Sequence, residues 1–173
     1  MDTFISSLEP PSKCACHVEC HYADVNVPSN KELILYVEKT VQYLRAQGLE
    51  FPEVELAIII VDEIEIEQLN TEYRQQPKAT NVLSFPFETP ELFLPHQQVK
   101  ILGDVFICAP IIEIEAQQQN KKLTEHWAHM LVHGVLHLFG FDHENSDDAE
   151  KMEDLEINIL NTFGYKNPYM ERL

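Results

Sequence analysis

The segment at residues 124–139 constrains the fold more than any other part of the chain. Its sequence, "TEHWAHMLVHGVLHLF", has the pattern of a helix that is apolar on almost every side. A helix of this kind has to be covered from several directions at once. We therefore predict a central helix that other elements surround, beginning at Thr124.

Two histidines of this helix, His133 and His137, are four residues apart, and His143 follows after Gly140. At about 100° per residue, side chains four apart lie on one face of a helix, so both imidazoles can reach one ion. Gly140 can adopt the left-handed backbone conformation that ends many helices, after which the chain turns back. The spacing predicts that His133, His137 and His143 bind one metal ion.

The type of ligand favours zinc, with one ion per chain. Three neutral imidazoles leave one tetrahedral position open, which is the arrangement of a catalytic rather than a structural zinc site. Nickel and copper also accept imidazole, so the native metal stays open. His126 and His129 fall on the same stripe as His133, and we interpret them as polar surface or as core groups with partners.

The three histidines and Gly140 have the spacing of the metzincin proteases, HExxHxxGxxH. Where those enzymes carry a glutamate that takes a proton from water, this chain has Gly134. General acid–base help of that kind is worth roughly 10²–10⁴-fold, so its loss argues against a protease of this type. Asp142 and Glu144 are close in sequence and could substitute as bases.

The remaining patterns predict one domain, residues 14–173, after a loose tail at residues 1–13. Strands are predicted at residues 16–27, 54–61, 80–87 and 101–108, with a loop between 87 and 100. Helices are predicted from Ser29 to Gly48, from Asp62 to about Pro77, from about Pro110 to Gln119, from Thr124 to Phe139, and from about Asp147 to Phe163. Four strands with five helices indicate an α+β or mixed α/β layer.

Several details follow from local patterns. In the first helix we expect an apolar face made by Ile34, Val37, Val41 and Leu44. Ser146 is the predicted N-cap of the last helix. Pro86 predicts that its strand lies at an edge of the sheet.

Three cysteines lie close together in "CACHVECH", at positions 14, 16 and 20. Their spacing does not fit the common CxxC zinc forms, so an edge strand with a polar face is favoured over a second metal site.

The formal net charge is −17, from 12 Lys+Arg against 29 Asp+Glu. This balance argues against non-specific binding to nucleic acid, so any role on RNA must rest on a local basic patch. Much of the acid lies in residues 62–67 and 143–158, which we expect on outer helix faces. The first residues lack the pattern of a secretory signal, and no apolar run reaches the roughly 18 residues that span a bilayer. We expect a cytoplasmic protein.

A second set of polar residues lies in "LNTEYRQQPKATNVLSFPF". Arg74 ends a predicted helix, where its charge either complements the negative end of the helix dipole or binds phosphate through two parallel hydrogen bonds. Both interpretations stay open. Lys78, Asn81 and Ser84 are the candidates for binding substrate.

Four separated motifs, "LNTEYR…TNVLSFPFE", "LGDVFIC", "HWAHMLVHG" and "HGVLHLFGFDH", occur in this order. Together they resemble the YbeY family of metal-dependent endoribonucleases that mature ribosomal RNA. The resemblance runs from about residue 54 to "GYKNPY" near the C-terminus. It implies an α+β fold with a mixed four-stranded sheet and helices around a metal cleft, with His133, His137 and His143 as zinc ligands. It also implies catalytic roles for Arg74, in a positively charged groove, and for His133.

The same resemblance implies a zinc-dependent endoribonuclease, specific for single strands, that acts at the 3′ end of small-subunit (16S) rRNA and in ribosome quality control. The expected partners are single-stranded rRNA and proteins of the small ribosomal subunit, with no DNA and no membrane. One alternative is a metal-dependent hydrolase of another class, such as a metzincin-like peptidase without the glutamate base. Another is a non-enzymatic ribosome-assembly factor in which zinc holds the helix to the loop.

Overall fold

The computed structural model describes residues 14–90 and 98–170. The strands are β1 (Cys14–Cys20), β2 (Glu53–Val61), β3 (Val82–Pro86) and β4 (Val99–Cys108). The helices are α1 (Asn30–Ala46), α2 (Glu63–Arg74), α3 (Ala109–Gln118), α4 (Leu123–Leu138) and α5 (Ser146–Asn161). The predicted α+β class is confirmed. The expected tail, 1–13, and residues 91–97 of the expected loop lie outside the described residues.

The four strands form one mixed sheet in the order β1-β2-β4-β3. β1 and β2 are parallel, β2 and β4 are parallel, and β3 runs antiparallel to β4. The cysteine-rich strand β1 and the strand that ends at Pro86 both lie at edges, which confirms both edge predictions. Proline is tolerated at an edge because it has no N–H to donate to a neighbouring strand.

The central strand β2 is covered on both faces, as its continuous apolar run predicts. Leu56 and Ile58 join the larger core on the side of α1, α4 and α5. Ile59 and Val61 join a smaller core on the opposite face, where Ile66 of α2 covers the sheet. The molecule therefore has three layers, with the sheet between α2 and the main group of helices.

Helix α4 is central, as predicted. Eleven of its sixteen residues are buried, and it contacts β3, β4, α1, α3 and α5. A helix covered from so many sides is held rigidly, so the side chains at its end are well positioned for a site. Within the described residues, no helix combines the length and apolar character needed to cross a membrane.

Helix caps largely follow the sequence. Ser29 and Glu32 form the reciprocal capping box of α1, and the Asp62 side chain accepts a hydrogen bond from the backbone of Glu65 at the start of α2. The N-cap prediction for α5 is wrong by one residue. The Asn145 side chain takes that position and accepts from the backbone N–H of Asp148 at 2.9 Å, because asparagine is as good a cap as serine.

Two further predictions need correction. The first strand ends at Cys20 and does not continue to residue 27. In α1 the buried stripe begins at Leu33, and Ile34 is half-buried beside it. The stripe is wider than expected because Tyr36 and Thr40 join it; the Thr40 hydroxyl donates to the Tyr36 carbonyl at 2.8 Å and so is not left unpaired.

A bulge in β4 lies at Leu102 and Gly103, where the pairing with β2 skips Leu102. Gly103 has a φ of +133°, and a Cβ atom built there would lie 2.1 Å from the carbonyl oxygen of Phe85. Both the backbone angle and the close approach of β3 therefore require glycine.

Substitution Gly103→Ala is expected to lower the free energy of unfolding by about 3 kcal/mol or more, since backbone strain and a clash with β3 add together. Gly48→Ala is the matched control, because Gly48 also has a positive φ (+93°) but nothing lies within 4 Å of its Cβ position. That control should lose only about 1 kcal/mol. Urea denaturation of both variants measures the difference, and equal losses would show that β3 moves away freely.

Candidate metal centre and active site

His133 and His137 lie on the last two turns of α4, one turn apart. Their ring centroids are 4.6 Å apart and their Nε2 atoms are 3.1 Å apart. The two imidazoles therefore converge, as their spacing predicts.

The turn at Gly140 brings the third histidine back. Gly140 has a φ of +93°; its N–H donates to the His137 carbonyl at 3.0 Å, and the N–H of Phe141 donates to the Leu136 carbonyl at 3.1 Å. This pair of hydrogen bonds is the Schellman motif that ends helices at a left-handed glycine. The ring of His143 then lies 5.1 Å from that of His137, centroid to centroid.

These residues fit a metal ion. Each of the three histidines offers one nitrogen, and the three nitrogens lie within 4.8 Å of one another. Two nitrogens bound to one tetrahedral zinc ion at about 2.0–2.1 Å would be about 3.3–3.4 Å apart, close to the 3.1 Å between the Nε2 atoms of His133 and His137. A donor set of imidazoles alone also suits zinc. His133, His137 and His143 could therefore hold a metal ion.

The other nitrogen of His133 is bonded to a carboxylate. Its Nδ1–H donates to Oε1 of Glu156 in α5 at 2.5 Å, and Glu156 has no exposed surface. The second oxygen, Oε2, accepts from the Tyr169 hydroxyl and lies 3.2 Å from Nε2 of His129. Burial alone would raise the pKa of this carboxyl, but the hydrogen bonds from His129 and His133 outweigh it and lower the pKa to about 2.

Glu156 corrects the expectation that the acidic stretch 143–158 forms an outer helix face. It lies on the buried stripe of α5 with Met152, Ile159 and Leu160. The sequence contained a signal for this burial. Glu156 lies four residues after Met152 and three before Ile159, at the spacing of the apolar stripe. That signal indicates a buried carboxylate, which needs partners.

His126 and His129 are core groups with carboxylate partners, which confirms one of the two interpretations given to them. They are 2% and 6% exposed. Nε2 of His126 lies 2.8 Å from Oε2 of Glu115, while His129 pairs with Glu156. His129 thus lies beside His133 and is linked to it through one carboxylate.

The three histidines open onto a cleft of about 600 Å³ between the end of α4 and the edge strand β3. The residues that line it are Arg74, Asn81, Val82, Leu83, Ser84, Pro86, His133, His137, Gly140, Phe141, Asp142, His143 and Glu144. The cleft therefore brings the histidines together with three of the four polar residues of the second set.

The position of Arg74 is compatible with both of its interpretations, and its role in binding phosphate stays a prediction. It is the last residue of α2, where its charge complements the helix dipole. It also lines the cleft: its Nη2 donates to the Ser84 carbonyl at 2.9 Å, and its guanidinium carbon lies 5.7 Å from the centre of the Phe85 ring. These contacts fix the guanidinium at the edge of the sheet, in the same cleft as the histidines.

The three substrate-binding candidates are placed differently. The Ser84 hydroxyl donates to the Gly134 carbonyl at 2.8 Å, and the Asn81 amide donates to Glu115 at 3.1 Å, so both line the cleft with their polar groups already bonded. Lys78 is exposed and is absent from the lining residues of the described chain. A role for any of them in substrate binding stays a prediction.

Gly134 faces the sheet. A Cβ atom at this position would lie 2.7 Å from Cγ1 of Val105 and 3.2 Å from the Ser84 hydroxyl oxygen. There is no room for the glutamate that metzincins carry here. The structure therefore supports the sequence argument against a protease of that type.

Asp104, beside Val105 in β4, is exposed and is not among the described residues that line the cleft.

An α+β layer with three convergent histidines at the end of its central helix has the form of a metalloenzyme. The sequence model of the family described as endoribonuclease YbeY matches residues 17–164, which is most of the chain. The chain therefore belongs to the YbeY family, and membership supports a metal-dependent endoribonuclease that acts in rRNA processing. This match confirms the resemblance of the four motifs to the YbeY family. It begins at His17 in β1, well before residue 54, where the resemblance of the motifs begins.

The fold is similar to the solution structure of TM1509 from Thermotoga maritima, with a TM-score of 0.53 and 20% sequence identity. The similarity covers 91% of this chain and 99% of that one. At this level of identity the likeness supports the fold.

The buried groups of the centre predict a loss of stability in acid. Burial, with the neighbouring His133, lowers the pKa of His137 from 6.5 to about 4, and burial lowers the pKa of His129. The unfolded chain therefore binds protons more readily, so stability of the metal-free protein falls as pH drops from 6.5 to about 4. Glu156, with its pKa lowered from 4.5 to about 2, extends the loss below pH 4.5.

Urea denaturation of chelator-treated protein across this pH range measures the effect. His137→Gln should make the loss of stability between pH 6.5 and about 4 smaller, because it removes one of the two imidazoles whose pKa is lowered and leaves the contribution of His129. It should leave the loss below pH 4.5 in place. A native curve that is already flat between pH 6.5 and 4 would contradict the expectation.

Proposed function

We propose that this chain is a zinc-dependent endoribonuclease, specific for single strands, that acts at the 3′ end of small-subunit (16S) rRNA and in ribosome quality control. The observation that supports it is the meeting, in one cleft, of three convergent imidazoles and the Arg74 guanidinium in a member of the YbeY family. His133, His137 and His143 would hold the zinc ion, and Arg74 and His133 are the proposed catalytic residues.

A zinc ion in this site would lower the pKa of a water molecule toward 7 and would polarise a phosphoryl oxygen. The three histidines belong to α4 and to the loop after Gly140, so all the metal-binding groups lie on one side of the cleft. The opposite side is the edge strand β3. An extended single strand would therefore pass between the helix end and β3.

Arg74 would bind the phosphate. Its side chain is exposed and is anchored at Nη2 by the Ser84 carbonyl. A planar guanidinium with five N–H groups keeps donors available for two parallel hydrogen bonds to phosphate oxygens. In this position its charge would stabilise the negative charge that grows on the phosphate in the transition state.

The carboxylates that could accept a proton in the cleft are Asp142 and Glu144, which lie on the loop between Gly140 and the start of α5. Oδ1 of Asp142 accepts a hydrogen bond from the backbone N–H of His143 at 2.7 Å, which holds this carboxylate next to a metal-binding residue. Because position 134 has no room for a side chain, the base of a metzincin has no counterpart on α4.

The excess of acidic residues in the chain affects how strongly the enzyme would bind its substrate. Arg74 is the one arginine or lysine among the described residues that line the cleft, while Asp142 and Glu144 line it too. Each phosphate contact by a cation adds to affinity, so a single contact predicts weak binding to RNA alone. We therefore propose that proteins of the small ribosomal subunit bring the enzyme to its substrate in the cytoplasm.

Cleavage of a labelled single-stranded fragment from the 3′ end of 16S rRNA tests the proposal. Native protein should cleave it, chelator treatment should abolish cleavage, and added zinc should restore it. Arg74→Ala should lower turnover by about 10²-fold or more, since it removes the group that stabilises transition-state charge. Lys151→Ala is the matched control, because it removes one positive charge from an exposed residue of α5 that lies outside the cleft.

A duplex made from the same fragment should resist cleavage. Folded, zinc-loaded protein that cleaves neither RNA, alone or with small subunits added, would overturn the nuclease and favour an assembly factor. Activity that falls equally in Arg74→Ala and Lys151→Ala would contradict a catalytic role for Arg74. It would leave the proposed zinc site at the three histidines unaffected, provided that cleavage still depends on zinc.

A further inference from the structure

We propose that Glu156 is a positioning residue for the metal centre: it holds His133 in the one tautomer that presents Nε2 to the ion, and Tyr169 holds Glu156 in place. This inference rests on the metal-binding half of the proposed function and does not depend on the substrate being RNA.

The tautomer follows from the hydrogen bond at Nδ1. A neutral imidazole carries one N–H, and an ionised carboxylate only accepts hydrogen bonds. Because Nδ1 of His133 lies 2.5 Å from Oε1 of Glu156, the proton has to be on Nδ1. Nε2 then carries the lone pair, and this atom is the one that faces Nε2 of His137 at 3.1 Å.

Glu156 is itself fixed by its second oxygen. Oε2 accepts from the Tyr169 hydroxyl and lies 3.2 Å from Nε2 of His129. Donors from α4 and from the segment after α5 thus surround a carboxylate that has no exposed surface. A buried charge needs such partners, and once it has them it cannot rotate without losing one.

Tyr169 is held by its own turn. Its backbone N–H donates to the side-chain oxygen of Asn167 at 2.8 Å, and its ring packs edge-on against His129 with centroids 5.3 Å apart. The chain that follows α5 therefore returns to the metal centre and closes the far side of Glu156. Carboxylates behind metal-bound histidines typically fix the ring and raise its basicity.

The chain contains a matched pair that lacks the connection to the ligands. Glu115 lies 2.8 Å from Nε2 of His126, near the start of the same helix. His126 is not one of the three convergent histidines. Removing the charge of Glu115 therefore tests the loss of a histidine–carboxylate pair between α3 and α4 without touching the three convergent histidines.

The first experiment compares Glu156→Gln with Glu115→Gln. Zinc affinity, measured by competition with a chromophoric chelator, should fall about 10–100-fold in Glu156→Gln. It should change by less than about twofold in Glu115→Gln, because no ligand contacts that carboxylate. In ¹⁵N NMR of the metal-free protein, His133 should be the Nδ1–H tautomer in the native chain and should shift toward Nε2–H in Glu156→Gln.

Tyr169→Phe keeps the test decisive if Glu156→Gln does not fold. It removes only the hydroxyl that donates to Glu156, so zinc affinity should fall a few-fold, with the same direction of change in the tautomer. A folded Glu156→Gln that binds zinc as tightly as Glu115→Gln, or a Tyr169→Phe with unchanged affinity and tautomer, would overturn the inference. Native protein that binds no zinc would overturn both this inference and the proposed metal centre. Zinc affinities that change as expected in the variants, in a protein that cleaves no RNA, would refute the nuclease alone.

Discussion

The close approach of α4 to the sheet at Gly134 sets the geometry on which the rest of the site depends. The absence of a side chain lets the helix backbone come near enough for the Ser84 hydroxyl to bond the Gly134 carbonyl at 2.8 Å. His133 directly precedes this contact and lines the cleft, while Arg74 is bonded to the backbone of the same Ser84. One packing contact thus fixes the distance between the histidines and the guanidinium across the cleft.

Much of the fold and part of the site could be predicted from sequence because they depend on local rules. The pairing of His133 with His137 follows from helical spacing, and the return of His143 follows from a glycine that ends the helix. Glu156 was expected at the surface because glutamate is almost never fully buried without partners. Its partners come from α4 and from the segment after α5, so only the tertiary packing shows where they are.

The second set of polar residues shows the same limit of prediction from the sequence. The sequence placed Arg74 and Lys78 in one polar set, but the backbone turns at Gln75, which has a φ of 55°, and Lys78 is not among the described residues that line the cleft. Asn81 and Ser84 do line the cleft, yet their polar groups bind Glu115 and the Gly134 carbonyl. Neighbours in sequence therefore contribute to the site in different ways. Among the described residues that line the cleft, Arg74 is the one arginine or lysine, in a chain of net charge −17.

The hydroxyl of Tyr169 on Glu156 has a consequence for the order in which the protein is made. A ribosome releases the chain from its first residue onward, so β3 and Arg74 emerge early and the three histidines later. Tyr169 leaves the exit tunnel after all of them, and until then the carboxylate behind His133 lacks one of its donors. The centre proposed to cut ribosomal RNA therefore takes its final form only after the segment that follows α5 has left the ribosome that makes it.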